Sequence, residues 1–534
     1  MPAKELLVFP SPYPDVEIPE VSIYDHLFGS LLEEDLKRVA FIDPDSGAPT
    51  SYGQLRDDVD ALAGALAARG VREGTVVGLL SPNVPAFGTV FHAVLRAGGT
   101  VTPLNALYTA PEIEKQLRDA GATLLFTVAP LLNNAEDAAA AVGIGADRLI
   151  LMDGAPGHPD LSDLLAEART APRVDIDPTT HVAVLPYSSG TTGTPKGVML
   201  THRNLVANVE QCRAVIDVSA EDRVLAVLPF FHIYGMTVLL NLALRARAAL
   251  VTMPRFELMR FLELIQQHAC TFVFVAPPIM VALAKHPMVD EYNISSLRTI
   301  FSGAAPLDAV TAERAAARIG ARVRQGYGMS ELSPVSHVIP DDRDDIPRSS
   351  IGVPVPNTVC MLVDVETGEE IVETDEQGLT RPGELWVKAP NVMLGYLGRD
   401  DETAQAITAD GFLRTGDIAV RSDAGWFAIV DRAKELIKYK GYQVAPAELE
   451  ALLLSHPKVM DAAVIGILDE DGEEVPKAFV VPAPDSGLAD IEVIEYVADR
   501  VAPYKKVRAV EFIDAIPKST SGKILRKDLR VRKD

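Results

Sequence analysis

Residues 188–197 read Ser188, Ser189, Gly190, Thr191, Thr192, Gly193, Thr194, Pro195, Lys196 and Gly197. Hydroxyls, glycines and one lysine at this density suit a phosphate. Glycine lets the backbone turn tightly and bring its N–H groups to an anion, and the hydroxyls and the ammonium add donors. The apolar, β-branched run 181–187 reads as a buried strand. The chain after the loop reads as the start of a helix, with Thr201 as N-cap and Leu205, Val209, Cys212 and Ile216 on one face. The pattern predicts a cradle between strand and helix. It is not a Walker A loop, because Pro195 stands where that motif needs glycine and no Gly-Lys-Ser/Thr follows. A Gly/Ser/Thr linker is the competing reading, disfavoured by the periodic helix and the Pro-Lys-Gly stop.

Four further segments fit one ligand, ATP. Ser302, Gly303, Ala304, Ala305 and Pro306 are small enough for close approach of backbone and ligand. Gln325, Gly326, Tyr327, Gly328, Met329, Ser330 and Glu331 set an aromatic face for a purine beside a carboxylate able to hold Mg²⁺. Thr415, Gly416 and Asp417 put a carboxylate on a turn, suited to ribose hydroxyls. Arg432 and the distant Lys523 add cations for an α-phosphate. Taken singly these are a turn carboxylate, a surface ion pair and a solvated basic tail.

The elements that must position these residues alternate. Helical patterns at 55–68, 86–95 and 111–120 interleave with apolar strands at 76–80 and 123–128. The alternation resumes with strands at 223–228 and 271–275 and helices at 258–268 and 278–285. This predicts an α/β fold of helix-packed sheets. After about residue 341, Asp-Gly and Asp-Ala-Gly turns break the chain into short strands, which predicts an antiparallel, barrel-like portion. From 433 onward, helices at 447–454 and 491–501 and strands at 462–467 and 478–481 predict a small mobile α+β domain. The expected organisation is a large domain over 1–430, a hinge at 431–434 and a lid over 435–534.

At 534 residues the chain exceeds what one core usually organises. Its net charge of −24 argues against general affinity for nucleic acid or anionic membrane, so an anionic ligand needs a local pocket. The three cysteines, Cys212, Cys270 and Cys360, lie far apart and predict buried thiols rather than a disulfide or zinc framework. The apolar stretch 236–253 is interrupted by Arg245 and Arg247 and reads as core. No apolar leader opens the chain and Arg-Lys-Asp at its end is not a peroxisomal address, so cytoplasmic residence is expected.

In their joint order these segments, with Asp431 to Val444 and Ser521-Gly522-Lys523, resemble the adenylate-forming superfamily of acyl-CoA synthetases, peptide-synthetase adenylation domains and beetle luciferases. Phe231-His232-Ile233-Tyr234 and the run from Lys438 to Glu448 look especially like 4-coumarate:CoA ligases. The resemblance spans about residues 23–529. It implies a two-step ligase using ATP, Mg²⁺ and coenzyme A: a carboxylate attacks the α-phosphate, pyrophosphate leaves, and a thiol then displaces AMP from the acyl-adenylate. It also implies the roles. Ser188 to Lys196 hold the pyrophosphate portion, Tyr327 stacks on adenine and Glu331 holds Mg²⁺. Asp417 and Arg432 grip the ribose, and Lys523 neutralises the reacting oxygens. Lys434 is the pivot that presents Lys438, Lys440 and Gly441 for the thioester step. His232, Tyr234, Ala304, Gly326, Pro334, Val335 and Gln443 line the acid pocket.

Departures from the family pattern bear on the substrate. Ser330 replaces a common threonine and keeps its hydroxyl. Ala304 stands where many relatives have glycine, so its methyl is expected to narrow the acid tunnel. Leu332 and Ser333 replace a smaller pair. No arginine for a second carboxylate occurs around Ala276-Pro277-Pro278-Ile279. The expected acid is a cinnamate-like aromatic or a medium-chain fatty acid. Loading of a carrier protein and luciferase-like oxygenation are the alternatives.

Overall fold

The computed structural model describes residues 7–188, 195–432, 435–439, 442–469, 474–484, 486–519 and 522–532; the side chains of Arg432, Lys438, Tyr442 and Gln443 also lie outside the description. The first sheet runs Gly395–Tyr396, Lys196–Thr201, Val182–Val184, Thr100–Leu104, Val76–Leu80, Ala122–Thr127 and Leu149–Leu151. Its middle strands are parallel, as the alternation with helices Tyr52–Ala68, Pro85–Arg96 and Ala110–Ala120 requires. A second, mixed sheet orders Val353–Pro354, Val335–Val338, Arg322–Gly328, Thr299–Ser302, Phe272–Val275, Arg223–Ala226, Ala249–Thr252, Val39–Ile42 and Pro49–Ser51. The third sheet is antiparallel throughout: Phe9–Pro10, Val359–Val363, Gly383–Lys388, Leu413–Arg421 and Phe427–Arg432. This is the barrel-like portion expected after residue 341.

The helix His202–Arg213 ties these layers together. Thr201 caps it as expected, in a reciprocal pair with Asn204: Asn204 N–H donates to Thr201 Oγ1 at 3.2 Å and Thr201 N–H to Asn204 Oδ1 at 2.9 Å. The apolar face at Leu205, Val209 and Cys212 is buried, but so are the polar residues Asn204, Asn208, Glu210 and Gln211. The polar face meets backbone instead of water. Asn204 Nδ2 donates to the Pro390 and Val392 carbonyls, Asn208 Nδ2 to Val335 O and Gln211 Nε2 to Pro356 O. Buried amides so placed satisfy loop groups that no strand can reach.

One local expectation is corrected here. The chain after the glycine-rich loop does not start a helix. Lys196–Thr201 is a strand, antiparallel to Tyr187–Ser188 with Lys196 opposite Ser188 and Gly197 opposite Tyr187. Helix begins only at His202, where the capping box permits it. The described chain on either side of the glycine-rich run is thus strand, Tyr187–Ser188 before it and Lys196–Thr201 after it. The run 236–253 is core as expected, built as a π-helix over Tyr234–Asn241, a short helix Leu242–Arg245 and the strand Ala249–Thr252. The three cysteines are buried thiols.

The C-terminal residues have their own apolar centre. Ile437, Val444, Leu449, Leu453, Val464, Val480 and Val497 form one cluster, and Ala463, Phe479, Ile513 and Leu529 another. They sit on the paired strands Ile437–Tyr439 and Tyr442–Val444, the helices Pro446–Leu454, Asp490–Ala498 and Arg526–Arg530, and the sheet Val459–Leu468, Glu474–Pro482, Ala509–Phe512 with Ile513 just beyond it. Asp431, the penultimate residue of the third sheet, accepts a hydrogen bond from Ala447 N–H at 3.0 Å, so the large sheet caps the first helix beyond it.

Candidate active site

The ends of three strands converge on one carboxylate. Glu331 follows the strand Arg322–Gly328 and is only 3% exposed. Its Oε1 accepts from Ser188 Oγ at 2.9 Å, at the start of the glycine-rich loop, and from Tyr396 Oη at 3.0 Å. Two hydroxyls on one oxygen fix the carboxylate's plane and leave Oε2 for a hard cation, so the donor set fits Mg²⁺. Ser330 is half-buried beside it. Ser189, Gly190, Thr191, Thr192, Gly193 and Thr194 lie outside the described residues, as do Lys434, Lys440 and Gly441.

Lys196 is buried at 6% exposure. It forms an ion pair with Glu402, and its ammonium lies 4.9 Å from the centre of the Tyr396 ring. Tyr187, beneath the loop, donates to Asp119 Oδ2 at 2.7 Å. Sequence reasoning missed Tyr187, Tyr396 and Glu402. Their only sequence signal was aromatic and acidic character near glycines, which by itself marks nothing.

Tyr327 and Asp417 come together from different sheets, the phenol donating to Asp417 Oδ2 at 2.5 Å. Asp417 pairs across its ladder with Arg432. Gln325, in contrast, is taken up by backbone: Oε1 accepts from Leu307 N–H, and Nε2 donates to the Arg348 and Ser350 carbonyls. Its amide shapes the segment from Ala304 through Ala305 and Pro306 to Leu307. A Cβ at Gly326 would stand 2.8 Å from the Phe301 ring, and one at Gly328 2.1 Å from Pro334 O, so neither position admits a side chain. Met329 N–H also donates to Pro334 O. Pro334 and Val335 are buried behind this turn.

Tyr234 is buried and its hydroxyl donates to Phe301 O at 3.3 Å. Burial pushes its phenol up, so it stays protonated. The residue facing it is Gly303, where a Cβ would meet the ring at 2.9 to 3.0 Å. Ala304, next in the run, is exposed and has a left-handed φ of 72°. The small-residue run turns at Ala304.

His232 is the meeting point of the large and small parts. Its Nδ1 accepts from Tyr234 N–H at 3.3 Å. Burial lowers the imidazole to about 4, and the charge of Lys523 adds to the shift, so the ring is neutral at pH 7. Gly522, with φ of 82°, lies over the large part: a Cβ there would be 3.1 Å from Pro278 Cδ and 3.5 Å from Ala276 Cβ. The turn at 522 thereby delivers Lys523 to the side of the site where His232 and Tyr234 stand. Among the described residues no helix is long and apolar enough to cross a membrane.

The chain is similar to known proteins over nearly its whole length. The family described as AMP-binding enzyme matches residues 32–397, and its C-terminal domain matches residues 448–523. The 4-coumarate–CoA ligase 5 of Oryza sativa subsp. japonica is 40% identical over 545 residues, 99% of this chain and 98% of the relative. Among solved structures, ATP-bound MatB from Rhodopseudomonas palustris superposes with a TM-score of 0.86 at 29% identity, covering 95% of this chain and 98% of that one. A benzoate CoA ligase from Burkholderia xenovorans LB400 gives 0.85 at 25%, covering 96% and 100%. With both the carboxylate-centred pocket and the turn that closes on it inside the matched regions, the chain belongs to the AMP-binding, adenylate-forming enzyme family.

Proposed function

We propose that this enzyme is an AMP-forming acid:CoA ligase whose acid is apolar apart from its one carboxylate, with a cinnamate-like aromatic favoured. The observation that carries the proposal is the placement of Gly522 on Ala276 and Pro278, which brings the Lys523 charge to His232. A cation there offsets the negative charge that a carboxylate and an α-phosphate bring to one another. The carboxylate oxygen attacks the α-phosphorus, the bond to pyrophosphate breaks, and an acyl-adenylate remains. The thiol sulfur of coenzyme A then attacks the acyl carbon and AMP departs with the bonding pair.

The residue roles follow the family resemblance, supported by the contacts of Glu331, Lys196, Tyr327 and Asp417. Ser188 through Lys196 receive the β- and γ-phosphates, and arrival of phosphate draws Lys196 from Glu402. Tyr327 offers its face to adenine, while Asp417 and Arg432 hold the ribose. Glu331 holds Mg²⁺, which supplies charge neutralisation on the phosphates. Lys434 serves as pivot between steps, and Lys438, Lys440 and Gly441 serve the thioester step. The acid lies against Tyr234 and Gly303, with Gly326, Pro334, Val335 and Gln443 around it. Phe274 and Phe301, 5.6 Å apart, back this wall and favour a flat apolar acid. With ATP and coenzyme A as co-substrates, the reading includes cytoplasmic residence.

The test is pyrophosphate release across aromatic and aliphatic acids, with and without coenzyme A. Release with hydroxycinnamates that becomes catalytic in coenzyme A supports the proposal. Turnover equal without coenzyme A, or confined to dicarboxylates, overturns it.

A further inference from the structure

Tyr396 touches two groups that the adenylation reading needs, though it lies in the short edge strand Gly395–Tyr396, far from the motifs that announce the site. The strand pairs with Lys196–Thr201, Val198 opposite Tyr396, which sets the tyrosine beside the root of the phosphate loop. Its backbone is fastened as well, Tyr396 N–H donating to Thr403 Oγ1 at 2.9 Å. The side chain is 7% exposed. One end of it, the hydroxyl, shares Glu331 Oε1 with Ser188 Oγ; its face carries the Lys196 ammonium at 4.9 Å. Burial and the neighbouring Glu331 carboxylate push the phenol up, so it remains a donor throughout the physiological range.

We propose that Tyr396 is a positioning residue for adenylation, which turns Glu331 so that Oε2 faces the metal and seats Lys196 for the phosphates. The inference rests on the proposed function and adds a residue to it. A hydrogen bond to a carboxylate orients it, and an aromatic face holds a desolvated ammonium; one side chain does both here. The acidic and basic halves of the phosphate site are therefore coupled through one ring.

ATP binding by the full-length enzyme, measured calorimetrically with and without Mg²⁺, separates the two contacts. For the unaltered enzyme Mg²⁺ tightens ATP binding. In Tyr396→Phe, which keeps the ring, metal-free affinity stays within about twofold and the tightening by Mg²⁺ falls about tenfold, the scale of a hydrogen bond to a charged group. Tyr396→Leu in addition weakens metal-free binding about threefold, by loss of the seat for Lys196. In a Glu331→Gln background Tyr396→Phe adds no further loss, a cancellation that a general packing defect would not show. Equal weakening with and without Mg²⁺, or unchanged coupling in Tyr396→Phe, overturns the role of Tyr396 and leaves the ligase reading intact. Absence of any Mg²⁺ coupling in the unaltered enzyme overturns the Glu331 reading itself, and this inference with it.

Discussion

Gly522 lies close against Pro278: a Cβ would stand 3.1 Å from Pro278 Cδ and 3.2 Å from Cγ, tighter than ordinary van der Waals contact. The turn that bears Lys523 is thus seated directly on the segment that ends the strand Phe272–Val275. On the proposed function the seating serves the first half-reaction, in which Lys523 offsets the negative charge that the carboxylate and the α-phosphate bring together.

Lys523→Ala is therefore expected to lower adenylate formation by at least about a hundredfold, the effect of deleting one preorganised charge-stabilising group. Thioester formation from supplied acyl-adenylate stays within a few-fold. Pyrophosphate exchange and coenzyme A consumption measure the two halves separately. Equal loss in both would place Lys523 in the fold rather than in the chemistry.

Gly522→Ala should reproduce the direction of that result without touching the ammonium. The methyl meets Pro278 and the left-handed φ of 82° strains any side chain. The expected outcome is a loss of pyrophosphate exchange with an unchanged melting profile of the large part. Unimpaired exchange would show that the turn reseats without Pro278.

Gly303 and Ala304 are expected to answer oppositely. Gly303→Ala puts a methyl into the Tyr234 ring, so kcat/KM should fall most for the bulkiest acids, by roughly 10- to 200-fold, the value of a misplaced methylene in a tight pocket. Ala304→Gly relieves a left-handed alanine and should raise stability by about 1 kcal/mol with little change in acid preference. A series of acids of increasing size, paired with urea unfolding, checks both. Broadened acid preference in Ala304→Gly would restore its methyl as the gate.

His92 gives a pH dependence that its surroundings dictate. It is fully buried between Phe28 and Phe91, both ring nitrogens lack partners, and burial lowers it to about 3 from the ordinary 6.5. The unfolded chain takes up a proton below pH 6.5 that the folded chain refuses until about pH 3. Stability is thus complete above pH 6.5 and lost progressively as pH falls toward 3. His202 and His337, also lowered to about 3, act in the same direction. His92→Leu should reduce the acid-side slope of unfolding free energy by about one proton, measured by urea unfolding at stepped pH. An unchanged slope would assign the acid sensitivity to other groups.

Much of the site was legible because its chemistry is local. A glycine and hydroxyl run, a Tyr-Gly-Met-Ser-Glu turn and a Ser-Gly-Lys end each declare their use through residue type, and their joint order declares the family. The parallel alternation and the Thr201 cap were equally readable, since periodicity and capping are properties of neighbours in sequence. Tertiary structure decided what depends on distant partners. Lys196–Thr201 became a strand because Tyr187–Ser188, Val182–Val184 and Gly395–Tyr396 pair with it. The helix His202–Arg213 reads as amphipathic but buries its amides as well, matched to carbonyls of residues 335, 356, 390 and 392. Gly303 was set against the Tyr234 ring, and Tyr396 reached Glu331 and Lys196 from an edge strand. None of these pairings leaves a mark in composition or spacing, because a hydrogen bond across the fold constrains geometry and only weakly constrains the residues beside it in the chain.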